Sequence, residues 1–102
     1  MALLKLTRDN FETEVLNSTL PVLIDFYADW CGPCRMLGPV IDEIAEEATD
    51  FKVGKVNIDE QPELATKYQV MSVPTLVVIK NGEVASRVTG VTPKQKILDM
   101  IE

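Results

Sequence analysis

Two cysteines stand three positions apart in Trp30-Cys31-Gly32-Pro33-Cys34, and the chain has no others. Two intervening residues let both sulfurs meet within the first turn of a helix. The first cysteine then lies where unpaired backbone amides and the helix dipole favour an anion. That field contributes about 0.3–1 kcal/mol at an exposed end and up to ~2 kcal/mol when partly buried. One pKa unit is worth about 1.4 kcal/mol, so the thiol pKa falls by up to about one and a half units. The thiolate is the attacking species in thiol–disulfide exchange. Cys31 is therefore the candidate nucleophile and Cys34 the thiol that resolves the mixed disulfide. This reading requires the Cys31 sulfur to be exposed and negatively charged at the mouth of a helix.

Two alternatives attach to the same spacing. A structural disulfide closing so short a loop gains only about 2 kcal/mol of chain entropy. That makes the pair a poor staple and a good redox couple, since the second thiol attacks at high effective concentration. Half of an intermolecular metal site is the other alternative. A structural zinc site wants four sulfur or nitrogen ligands, and two cysteines with no histidine cannot close one alone. No metal is expected.

The elements that must position this pair follow from the flanking pattern. Pro21 opens an apolar run from Val22 to Ala28 that does not alternate, as suits a central strand covered on both sides. Asp25 breaks that run six residues before Cys31. A solvent-facing carboxylate is the plain reading. If buried, its charged form is disfavoured and its pKa rises. A carboxyl titrating near neutrality can take a proton from Cys34 as that thiol attacks, and return it in the reverse step. After the cysteines, Met36, Leu37, Val40, Ile41, Ile44, Ala45 and Ala48 recur at helical spacing, with Pro39 expected to kink the helix.

Upstream, Leu3 to Leu6 reads as a short strand, followed by a helix with Asp9 and Glu12 at capping-box spacing and Phe11, Val15 and Leu16 on one face. Downstream, Phe51 to Ile58 is β-rich, and Asp59 and Pro62 start a helix with Leu64, Ala65 and Tyr68 on its apolar side. Thr75–Lys80 and Glu83–Thr89 flank Asn81-Gly82, a two-residue hairpin signal. Thr92-Pro93-Lys94-Gln95 reads as a capping box opening a last helix with Ile97, Leu98 and Ile101. The order β-α-β-α-β-α-β-β-α predicts an α/β fold, one mixed sheet with helices on both faces.

At 102 residues the chain is expected to be one domain, residues 1–102, with enough burial for a core without staples. A net charge of −6 argues against nucleic acid and against anionic membrane surfaces as partners. No apolar run is long enough to span a bilayer. Met1 to Arg8 lacks the basic and apolar regions of a secretory signal. These features predict a cytoplasmic monomer, in a compartment where disulfides are usually transient and catalytic. Glu46, Glu47, Asp50, Glu60 and Glu63 read as solvated faces and caps.

The segment from Asp25 to Cys34 resembles the active-site region of the thioredoxin family, and Val73-Pro74-Thr75, Lys80-Asn81-Gly82 and Gly90 fall at the expected later positions. The resemblance covers essentially the whole chain. It implies the thioredoxin fold with strand order 1-3-2-4-5, and the reduction of disulfides in other proteins through a redox-active Cys31–Cys34 disulfide. It implies no bound cofactor. Electrons would come from NADPH or ferredoxin through a separate thioredoxin reductase. Lys55 matches the lysine that the family places near the aspartate. Pro74, on its own a strand-start proline, matches one that is cis and faces the sulfurs. The Val73 backbone would then be offered to an extended substrate peptide. Trp30, Gly32, Pro33, Val73, Pro74, Gly90 and Val91 would form an exposed, weakly apolar rim. On residue type alone Trp30 could be core instead, and the glycines simple turns. Tyr27 stands where many relatives carry tryptophan, and Met71 where a basic residue is common.

Two rival readings keep the fold. One is an oxidase or isomerase, which usually has histidine where Pro33 stands. The other is a non-catalytic binding subunit of a larger complex.

Overall fold

β2 (Val22–Tyr27) is buried along nearly its whole length and lies in the middle of the sheet. A computed structural model describes residues 1–102. β2 pairs in parallel with β3 (Lys52–Asn57), which pairs in parallel with β1 (Leu3–Lys5). On its other side β2 runs antiparallel to β4 (Thr75–Lys80), which is joined to the edge strand β5 (Glu83–Thr89). The order β1-β3-β2-β4-β5 is the predicted one. Asn81 and Gly82 both take positive φ, 53° and 79°, as the two-residue turn demands. Val78 faces Ser86 and Ile79 faces Val84, which leaves Ala85 as a bulge residue in β5. A bulge on an edge strand discourages pairing with another chain.

Side chains alternate across β2 and divide the interior into two cores. Val22, Ile24 and Phe26 pack with Phe11, Val15, Leu64 and Tyr68 on one face. Leu23 packs on the other face with Leu37, Ile41, Ile44 and Ala45 of α1 (Gly32–Glu47) and with Ile97 and Ile101 of α3 (Lys94–Ile101). Tyr68 closes α2 (Pro62–Lys67) and stacks at a tilt on Phe11 and Phe26, with ring centroids 5.6 and 6.0 Å away. No helix is long and apolar enough to cross a membrane.

Three local expectations are corrected. The first helix is a single π turn, Glu12–Leu16, and no Asp9–Glu12 capping box forms. Thr7 and Asn10 act instead: Thr7 Oγ1 accepts from the Asp9 amide and Asn10 Oδ1 from the Thr7 amide. The Thr92–Gln95 box is also absent, because the Thr92 hydroxyl donates to the Gly90 carbonyl and Gln95 donates to Asp99. Met36 is exposed rather than core, lying off the stripe formed by Cys34, Leu37, Ile41 and Ile44. Pro39 does not end α1, and its ring sits on the exposed side.

Candidate active site

β2 hands over to α1 at Cys31, which is the N-cap residue with extended backbone, φ −91° and ψ 112°. Pro33 lies in the first turn, where its missing amide costs no bond and its fixed φ suits a helix. The Cys31 sulfur accepts the Cys34 amide at 3.2 Å, and the two cysteines form a disulfide with their Cα atoms 5.2 Å apart. The same sulfur lies 3.6 Å from the Val73 carbonyl oxygen. The exposure expected of this sulfur is therefore corrected for the oxidised form, in which it is bonded to Cys34 and carries no charge; the requirement passes to the reduced thiolate, which lies beside exposed Gly32 and Pro33. Cys31 retains only 4% of its surface and Cys34 5%, packed with Ala28 and partly buried Tyr27, Ile58 and Val73. Gly32 and Pro33 are exposed beside them, and space above Gly32 is open for 4 Å around a Cβ position.

Asp25 projects from the same face of β2 as Leu23, toward α1, and is 5% exposed. Its Oδ1 is buried with no hydrogen-bond partner. A cavity of about 270 Å³ joins Asp25 to Cys34, Arg35, Gly38 and Asp42 on α1, and to Lys55 on β3. Burial pushes the Asp25 carboxyl from its ordinary 3.8 up to about 7; the Lys55 ammonium works against this and the Asp42 carboxylate adds to it. Lys55 is the register partner of Asp25 across the parallel pair. Its ammonium lies over the Tyr27 ring, 5.4 Å from the centroid, and not in an ion pair with Asp25.

The rim is only partly as expected. Trp30 is 66% exposed and Val91 is exposed, but Pro74 is buried and Val73 and Gly90 are half-buried. The Val73–Pro74 bond is cis, and the Pro74 carbonyl accepts the Gly90 amide at 2.8 Å, which ties the two loops together. Trp30 is not core: its indole Nε1 donates to Asp59 Oδ2 at 2.9 Å across open surface. Sequence reasoning misses Arg35 and Asp42, although with Cys34, Gly38 and Ile41 they share one helical face. It also misses Asp59. Met36 and Met71 are both exposed. No three His, Cys, Asp or Glu side chains are grouped to hold a metal ion.

A family model described as Thioredoxin matches residues 2–102. The chain belongs to the thioredoxin family. Thioredoxin of Pyropia yezoensis is 48% identical over 98 residues, covering 95% of this chain and 92% of that one. Thioredoxin 1 of Synechococcus elongatus is 47% identical over 97 residues, with 94% and 91% covered. Thioredoxin of Mycobacterium tuberculosis is 48% identical over 98 residues, with 95% and 84% covered. With this membership and the Cys31–Cys34 disulfide at the head of α1, the chain is a thiol–disulfide oxidoreductase of the thioredoxin type.

Proposed function

We propose that this thioredoxin-family chain acts as a single domain that reduces disulfides in other proteins, with Cys31 as nucleophile and Cys34 as resolving thiol. The Cys31 thiolate attacks a substrate disulfide, forming one S–S bond while the substrate S–S bond breaks, and the first substrate sulfur leaves as a thiolate that takes a proton from water. Cys34 loses its proton and attacks the Cys31 sulfur. The second substrate thiol departs, and the protein is left as the disulfide. The substrate has gained two electrons and two protons.

The observation that carries this reading is a buried, unpartnered carboxyl sharing one cavity with Cys34. A carboxyl titrating at about 7 can accept the Cys34 proton and release it again at neutral pH. Lys55 faces the same cavity and tunes that carboxyl. Trp30, Gly32, Pro33, Val73, Pro74, Gly90 and Val91 form the contact surface, with Pro74 shaping it from below. Electrons return from NADPH or ferredoxin through a separate thioredoxin reductase, and the protein works as a cytoplasmic monomer in electron transport.

Reduction of insulin disulfides with dithiothreitol tests the assignment. Cys31→Ser should abolish the acceleration. Pre-reduced Cys34→Ser, mixed with insulin after dithiothreitol has been removed, should stop after one step and accumulate a mixed disulfide, seen as an added mass that dithiothreitol then removes. Full activity in Cys31→Ser would remove the proposal.

A further inference from the structure

Asn57 ends β3 and is 6% exposed, a polar side chain placed in the interior. Its Oδ1 accepts the amides of Asp59 at 2.9 Å and Glu60 at 3.2 Å. An Asn that bonds the backbone two residues on fixes the turn it opens. Its Nδ2 donates to Asp29 Oδ2 at 3.4 Å. The turn presents the Asp59 carboxylate, which receives the indole N–H of Trp30. Asp29 and Trp30 are consecutive and immediately precede Cys31, so the bonds close a ring: Asn57 to Asp29, along the chain to Trp30, across to Asp59, and back to Asn57.

We propose that Asn57 is a positioning residue that holds the Trp30 indole beside the redox disulfide, by fixing the Asp59 carboxylate that receives it. It touches neither sulfur nor substrate. Trp30 is exposed enough that packing alone does not immobilise it. A contact side chain ordered before binding spares the complex the cost of ordering it afterwards. The ring therefore acts on substrate capture and leaves the sulfur chemistry alone. The inference rests on Trp30 belonging to the substrate rim.

Trp30 is the only tryptophan of the chain, so its fluorescence reports on this ring directly. Asn57→Ala and Asp59→Ala, the latter in an exposed turn, should each lower the Trp30 anisotropy and increase its quenching by acrylamide. Both should raise KM for insulin disulfides about three- to tenfold, as expected for one rotamer-rich side chain ordered on binding, with kcat unchanged. Reduction of a small aromatic disulfide should stay at the parent rate. The double variant should match the single ones, because both cut one ring. An indole as rigid in both variants as in the parent, or effects that add in the double variant, would overturn the inference and leave the rim reading intact. Trp30→Ala with unchanged KM would overturn the rim reading, and the anisotropy would still decide the role of Asn57.

Discussion

Asp25 has no hydrogen bond at Oδ1, and the lysine across the strand pair points its charge at an aromatic ring. Ionisation there is costly, and the cost has a sign that can be measured. Between its ordinary 3.8 and about 7, the folded protein holds a proton that the unfolded chain has released. Stability therefore falls as pH rises through that window and levels off above it. At ~1.4 kcal/mol per unit, a shift of this size is worth about 4 kcal/mol. Asp25→Asn removes the titration. The oxidised variant should match the parent near pH 4 and exceed it by up to about 4 kcal/mol at pH 8, read from urea melts across that range. A variant that loses stability toward alkaline pH as steeply as the parent would exclude this account. The same substitution should slow resolution of the mixed disulfide about a hundredfold, the low end of what a positioned acid or base contributes. Unchanged single-turnover kinetics would refute that role. Asp25 is legible in the sequence because it interrupts an otherwise apolar strand. Asn57 and Asp59 are not, because their partners lie 28 and 29 positions away and only the fold brings them together.

At the scale of elements, periodicity and turn chemistry read through well while helix caps do not. The hairpin is legible because Asn-Gly can supply two positive φ values in a row, and both occur. The capping boxes fail because Thr and Asn side chains find competing local partners, amides for Thr7 and Asn10 and a carbonyl for Thr92, and sequence spacing does not say which one wins. Gly54 carries a constraint that no pattern announces. It sits in β3 between Leu4 of β1 and Ile24 of β2, and a Cβ there would lie 2.5 Å from Leu6 Cδ1 and 2.8 Å from Leu6 Cγ. Leu6 is 1% exposed, so it can withdraw only by displacing the core neighbours packed around it. Gly54→Ala should therefore cost about 1–3 kcal/mol, as overpacking usually does. Urea melts should show a lower midpoint with an unchanged slope. Parental stability would mean that Leu6 repacks freely.

Over the whole molecule, one sheet separates two cores that share few side chains. Ile41 of α1 lies in one core and Ile79 of β4 in the other. Ile41→Val and Ile79→Val should each cost about 0.5–1.5 kcal/mol. Sites without common partners add to within about 0.5 kcal/mol, and the double variant should follow that rule in a denaturation cycle. A larger coupling would show that the sheet transmits packing strain from face to face. The overall topology is legible because each crossover is bounded by strong strand signals, whereas the cover over the cysteines is legible only through the family resemblance at Val73 and Pro74, since it arrives from another part of the chain.

That cover has a consequence for biogenesis. A carbonyl that lies 3.6 Å from the Cys31 sulfur belongs to a residue 42 positions later. At ordinary ribosomal speed, about 5–20 residues per second, the thiols precede their shield by roughly 2–8 s. A nascent chain thus displays naked sulfurs that the finished protein keeps almost wholly covered. Oxidants or crosslinkers met during translation will find a target that is far harder to reach once synthesis is complete.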